Sequence, residues 1–326
     1  MRWFHFVAGG IVATGAALGL VLAASRGQSD QVLEKWSDIG GYPWLKAGLR
    51  EARVVVIDRP HRATEAMKSR TWWSSIDRTR MYHLNTNSLH LRGPEIGPKP
   101  VGTRRIVALG ESVTHGWGLE EDQTWTVKLQ AELRRQGRRV EVINAGVPSA
   151  FSETMRGWCL AKAGALEPDL IIWMRRAVGP GGARSLAQGA RDCAAATGAR
   201  IVVVLPPIST FDAHGSTAYV AEAPELQALL PGIDVIELTG VFRAAQAGRG
   251  EVLERRGSRA VVVDQENGKV WAEVAWTDQD LDPAIYALFE DEPEVREALF
   301  FDEGHPDEEG TTLLARTLAE RLGAAL

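Results

Sequence analysis

From about residue 100 onward, short apolar runs alternate with segments whose apolar residues recur every three or four positions. The runs RRIVALG (104–110), RVEVINAG (139–146), DLIIWM (169–174), ARIVVVLPP (199–207) and IDVIELTG (233–240) read as buried strands. Between them, TWTVKLQAELRRQG (124–137), SETMRGWCLAKAGAL (152–166), ARSLAQGARDCAAATG (183–198) and EAPELQALL (222–230) read as helices; Gly137 and Gly198 mark two of their ends. Strands alternating with helices of this length predict an α/β fold, a five-stranded parallel sheet with helices on both faces. PDEEGTTLLARTLAERL closes the chain, with Leu314, Leu318 and Leu322 on one face, so this last helix is expected to pack back on the core.

Two stretches break the rhythm. Residues 26–100 read as a connector and an irregular N-terminal cover: WSDIGGYPWLKAG is turn-rich, ARVVVID suits a short strand, and NTNSLHLRGPEIGPKPVG is extended and punctuated by Pro and Gly. Residues 250–290 interrupt the α/β order, and SRAVVVDQENGKVWAEVAW alternates about Asn267-Gly268, a hairpin-turn dipeptide. The expected organisation is an apolar segment 1–25, the cover 26–100 and a catalytic domain 101–326 with a hairpin excursion.

The N-terminal pattern is of another kind. Trp3 to Ala24 is 22 residues without Asp, Glu, Lys or Arg. As a helix it would span about 30 Å, the thickness of a hydrocarbon core. Arg2 and Arg26 flank it on both sides, so charge orients it only weakly. A signal peptide cleaved near Ala23, Ala24 and Ser25 is the rival reading. The apolar run exceeds a usual signal core, which favours an uncleaved single-pass anchor. Either way, the body of the protein is expected across a membrane, facing the periplasm or exterior. Gly15 and Gly19 have the spacing of a close helix contact, a spacing common by chance in such a span.

Composition adds limits. The 326 residues are 45% hydrophobic and 24% charged, enough for a large core, and the net charge of -5 gives no reason to expect nucleic acid. The basic run Arg134–Arg139 reads as a solvated helix end. Cys159 and Cys193 are the only cysteines; an exported location permits a disulfide, and two buried thiols are the alternative. No Cys-x-x-Cys or His-Glu-x-x-His is present, so neither metal nor cofactor is expected.

Candidate chemistry begins at VALGESVTHGWG (107–118), where Ser112 stands two residues past Gly110, at the end of the first parallel strand. Sites in open parallel sheets lie beyond the carboxyl ends of the strands. A serine there has an exposed hydroxyl and backbone N–H groups beside it; Ser112 or Thr114 acting merely as a helix cap is the plainer reading. FFDEGHPDEEG near the C-terminus changes the balance. Asp302 and His305 are three apart just before the last helix, so one short loop carries both a base and the acceptor that orients it. Pro306 would stiffen that loop and start the helix.

Together these blocks resemble the SGNH hydrolases, also called GDSL esterases and lipases. LGESVTHGWGL is similar to their first block, with the nucleophile at Ser112. VINAGVPS is similar to the second, whose glycine would be Gly146, and FDEGHPDEEG to the last, with Asp302 and His305. NTNSLHLRG (85–93) is similar to the segment before the first block in exported bacterial members. The resemblance covers roughly residues 85–326 and implies a flavodoxin-like three-layer fold. It also implies a Ser112–His305–Asp302 triad and an oxyanion hole built from the Ser112 and Gly146 N–H groups.

Two positions depart from the family pattern: Glu111 replaces the usual Asp, and PDLIIWMRRAVGPGG lacks the Asn of the third block. Arg175, Arg176 or backbone N–H groups among Gly179, Gly181 and Gly182 are candidate substitute donors; Asn144 suits a structural role instead. His115 is expected to point away from the nucleophile and to line the pocket. Trp117 and Trp125 are expected to pack, stacking on a sugar being the alternative. His83, His90 and His214 show no partner in the sequence.

The function expected is a membrane-tethered serine esterase acting on an acyl ester, with an acetylated glycan as a suitable substrate. The alternative is an O-acyltransferase to an extracytoplasmic polysaccharide, working beside a membrane acyl carrier. A further alternative is a non-catalytic scaffold with a degenerate oxyanion hole.

Overall fold

The structure is a computed structural model; it describes residues 33–36, 42–57, 79–177, 181–211, 223–276, 288, 292, 295, 297–302 and 304–323. The apolar segment 3–24 lies outside these residues, and no helix among them is long and apolar enough to cross a membrane.

The segment expected to be irregular contains two antiparallel pairs. Strand β1 (Leu33–Trp36) pairs with β2 (Tyr42–Leu45), and β3 (Ala52–Ile57) pairs with β4 (Thr79–Leu84). The α/β order then begins with β5 (Arg104–Gly110), the short helix α1 (Ser112–His115), α2 (Trp125–Arg135) and β6 (Val140–Gly146). It continues with α3 (Ser152–Lys162), β7 (Leu170–Met174), α4 (Gly182–Thr197), β8 (Arg200–Leu205), α5 (Ala223–Leu229) and β9 (Asp234–Glu237). Helix α6 (Thr239–Gln246) follows directly. After it come β10 (Glu251–Arg256), β11 (Arg259–Asp264), β12 (Val270–Ala275) and the last helix α7 (Glu308–Gly323).

β5 to β9 form the expected five-stranded parallel sheet, in the order β6-β5-β7-β8-β9. Period-2 alternation sorts its side chains into two cores. Val107, Leu109, Ile171, Trp173, Ile201 and Val203 face Met155, Trp158, Leu186 and Leu226 of α3, α4 and α5. Ile106, Ala108, Ile172, Met174, Val202 and Val204 face Leu129 and Leu133 of α2, Phe242 of α6, and Leu314 and Leu318 of α7. The strands read as unbroken apolar runs because both faces are covered, giving a three-layer α/β/α molecule.

The run read as IDVIELTG ends as a strand at Glu237, and α6 starts two residues later. Apolar Val241 and Phe242 leave strand and helix hard to tell apart in so short a segment. The hairpin about Asn267-Gly268 is joined by β10 into an antiparallel three-stranded sheet. The N-terminal cover is seated by Trp44, stacked on Trp158 of α3 with ring centroids 5.3 Å apart.

Cys159 of α3 and Cys193 of α4 form a disulfide, with Cα atoms 5.6 Å apart and a sequence separation of 34. Removing a cross-link over a loop of that size costs roughly 3–4 kcal/mol in the chain-entropy account. A Cys159→Ala/Cys193→Ala variant is therefore expected to lose about that much stability in urea melts relative to the oxidised protein. Equal stability of oxidised and reduced wild type would contradict the bond.

Candidate active site at the carboxyl edge of the sheet

β5 lies between β6 and β7, where the strand order reverses, and its last residue Gly110 pairs with both Gly146 and Met174. Clefts form at such switch points. The chain turns there straight into α1, which is pressed onto the strand ends because two glycines leave room. A Cβ on Gly110 would lie 2.1 Å from Thr114 Oγ1 and 2.7 Å from Met174 O; one on Gly146 would lie 2.1 Å from His115 N. Ser112 is the first residue of α1, so its N–H has no acceptor within the helix.

The loop before α7 meets this turn. Ser112 Oγ lies 2.9 Å from His305 Nε2, and His305 Nδ1 lies 2.7 Å from Asp302 Oδ2. Because Nδ1 faces a carboxylate it carries the proton of the neutral ring, leaving Nε2 to accept from the serine hydroxyl. Asp302 Oδ1 also accepts the backbone N–H groups of Gly304 at 2.7 Å and His305 at 2.6 Å. Burial works to raise the Asp302 carboxyl. The charge and Nδ1–H of His305 and the two backbone N–H groups outweigh it, holding the carboxyl below its ordinary value. Phe301 stacks on the His305 ring at 5.7 Å and 14°, and the Arg80 guanidinium from β4 lies 4.2 Å from the Phe301 centroid.

The loop is anchored on both sides. Phe301 N–H donates to His305 O at 3.1 Å and Asp307 N–H to Leu299 O at 2.9 Å. Upstream, the buried Glu297 carboxylate accepts from Arg243 (2.6 Å), Gln246 (2.9 Å) and Thr210 N–H (2.6 Å). Downstream, Lys128 Nζ donates to Glu308 O at 2.7 Å and to the hydroxyls of Thr311 and Thr312 at 3.1 and 2.9 Å.

The expected oxyanion donor Gly146 is corrected by the structure. Its N–H already donates to Asn144 Oδ1 at 2.9 Å, because Gly146 still belongs to β6 and its role is to admit α1. Three residues on, Ser149 is exposed with φ of 60°, a left-handed conformation uncommon for a serine, and no hydrogen bond of its N–H is made among the described residues. Sequence reading missed it; its signal was the turn sequence Val147-Pro148-Ser149.

The two arginines separate. Arg175 Nη1 donates to Glu111 Oε2 at 2.9 Å and to Ala150 O, so its guanidinium lies between the turn of Ser112 and the loop of Ser149. Arg176 reaches the other way, its Nη2 donating to Pro207 O beyond β8. Gly181 and Gly182 begin α4, and Gly179 lies outside the described residues.

His115 is buried, not pocket-lining. Its Nδ1–H donates to Gly146 O at 3.3 Å, so Nε2 accepts from the Tyr82 hydroxyl at 2.9 Å. Burial first, then the charge of Arg92, pushes its pKa well below the ordinary value, and burial pushes Tyr82 up. Trp125 is fully buried and Trp117 packs edge-on to Tyr82 at 6.1 Å, both in packing roles. His83 Nδ1 pairs with Glu120 at 3.1 Å and His90 Nδ1 donates to Leu45 O at 3.0 Å, partners the sequence did not show; His214 lies outside the described residues.

No family model matches the sequence, and no curated protein matches it. Among solved structures, a lipase/acylhydrolase from Enterococcus faecalis is similar at 14% identity and a TM-score of 0.43, over 68% of this chain and 97% of that one. TesA is similar at 15% identity and 0.42, over 68% and 100%. The acetyl xylan esterase AlAXEase is similar at 12% and 0.41, over 67% and 99%.

His115 makes stability depend on pH. Neutral in the fold and protonated below about 6.5 once unfolded, it contributes stability that is complete above that pH and lost as pH falls, by up to about 1.4 kcal/mol per unit. Urea melts at pH 7.5 and 5.5 should show wild type losing stability on acidification, and His115→Gln losing measurably less.

Proposed function

We propose that this chain is a serine esterase of the SGNH hydrolase type, with Ser112 as nucleophile, His305 as general base and acid, and Asp302 as the group that orients His305. The observation that carries the reading is the hydrogen-bonded series from Ser112 Oγ through His305 to Asp302. Ser112 Oγ attacks the ester carbonyl carbon while His305 Nε2 takes its proton. Asp302 stays ionised and stabilises the imidazolium. The carbonyl electron pair moves onto oxygen, beside the N–H groups of Ser112 and Ser149. His305 then returns the proton to the departing alkoxide, leaving an acyl-serine. Water, deprotonated by the same imidazole, releases the acid.

Arg175 stands in for the absent third-block Asn. Glu111 and Ala150 O hold its Nη1, and its remaining N–H groups supply the further oxyanion donor. An acetylated glycan or small acyl ester is the substrate class we assign. The uncharged segment 3–24 and the Cys159–Cys193 disulfide support an exported, membrane-tethered enzyme, since such bonds persist in oxidising compartments.

The same uncharged segment favours a second reading, in which the acyl-serine is delivered to a polysaccharide hydroxyl beside a membrane acyl carrier. A non-catalytic scaffold would have no use for an aligned Ser–His–Asp series.

Hydrolysis of acetyl esters by the purified protein tests the proposal. Ser112→Ala should show no rate above background. Asp302→Asn should lower kcat/KM by about 10³–10⁴-fold and Arg175→Ala should lower kcat by about 10²–10³-fold. Full activity in Ser112→Ala would exclude the mechanism. Product partition with added oligosaccharide separates the readings: acetylated sugar marks the transferase and free acetate the esterase.

A further inference from the structure

The turn that carries Ser112 is too short to hold itself. Within it, Ser112 O accepts the N–H groups of Gly116 and Trp117 at 2.9 and 3.0 Å, but a single helical turn leaves its later carbonyls without intrahelical partners. Two side chains from outside take them. Asn144 Nδ2 donates to Thr114 O at 2.9 Å. Arg92 Nη1 donates to His115 O at 2.7 Å and Gly116 O at 2.9 Å, and Arg92 Nη2 donates to Leu119 O at 2.7 Å.

Arg92 is only 4% exposed and makes no contact-distance ion pair among the described residues; the carboxylates of Glu121 and Glu120 act on it from farther off. Its charge instead faces the carbonyl end of α1 and the ring of Tyr82, 5.0 Å from the centroid. A buried cation that spends its donors on backbone carbonyls is costly unless the geometry is enforced. Here it is enforced: Arg92 makes backbone bridges to Thr86 and Asn144. The Asn87 side chain also ties the loop, accepting from Leu89 N–H at 3.0 Å and Leu91 N–H at 3.1 Å.

We propose that Arg92 is a positioning residue for the nucleophile. Its guanidinium fork enters from the N-terminal cover and holds the carbonyls of His115, Gly116 and Leu119. Through them it keeps Ser112 Oγ aligned with His305 Nε2. The proposal rests on the catalytic reading of Ser112 given above. It makes residues 85–93 part of the catalytic unit rather than a cover over it. The planar fork is needed because the three acceptors are spread over five residues, which a lysine ammonium at one point does not span.

In the full-length protein, Arg92→Lys and Arg92→Ala are compared with wild type by amide hydrogen exchange at Gly116 and Trp117 and by the rate of fluorophosphonate labelling of folded protein. In Arg92→Lys both amides should exchange faster. Its labelling rate should fall by about 10²-fold, the effect of misplacing a reacting group by about 1 Å. Non-denaturing guanidinium should partly restore labelling of Arg92→Ala. A purely structural role would lower the melting temperature without changing the labelling rate of the folded fraction, and that result overturns the proposal, as does unchanged exchange in Arg92→Lys. A wild-type protein that does not label removes the catalytic reading, while the exchange data still decide whether Arg92 holds the turn.

Discussion

The geometry at the carboxyl edge depends on how closely the turn of Ser112 lies against the ends of β5 and β6. Gly110 and Gly146 face each other across the strand pair, and at each a Cβ would sit 2.1 Å from an atom of α1. With the helix flat on the sheet, Asn144 and Arg92 reach its carbonyls, and His115 drops into a buried slot beneath Tyr82. That leaves Ser112 Oγ on the open side, where the loop before α7 brings His305. Close packing and exposed chemistry are thus two sides of one turn.

The other half of the site is held by charge and hydrogen bonding. Asp302 uses one oxygen for the imidazole and the other for two backbone N–H groups, so the same carboxylate shapes the loop and orients the ring. Glu297 and Lys128 fasten that loop to α6 and α2. His305 is consequently tied to two helices of the fold, although its loop is short and glycine-containing.

Much of this was legible in the sequence, for identifiable reasons. Both faces of the parallel sheet are covered, so its strands read as unbroken apolar runs, and Ser112, Asp302 and His305 stand at element ends where the sequence changes character. What was not legible depends on side chains meeting from distant segments. Gly146 looked like a free N–H donor because nothing in sequence shows that the Asn144 side chain, two residues earlier, folds back onto it. Arg175 and Arg176 are neighbours just past the end of β7 that reach opposite ways, one to Glu111 and one to Pro207. Arg92 gave no signal as a buried residue, since its acceptors are carbonyls 23 to 27 positions later. The β3–β4 pair was half visible: ARVVVID suited a strand, while Thr79–Leu84 (TRMYHL) has neither a regular alternation nor turn markers.

The most direct measurement of the central claim is the site of covalent modification. The protein is treated with a fluorophosphonate, digested, and the modified peptide sequenced by mass spectrometry. The account predicts a single adduct on Ser112, absent when His305 is replaced by Ala. Modification at another serine, or an adduct on Ser112 that forms equally fast without His305, would contradict it.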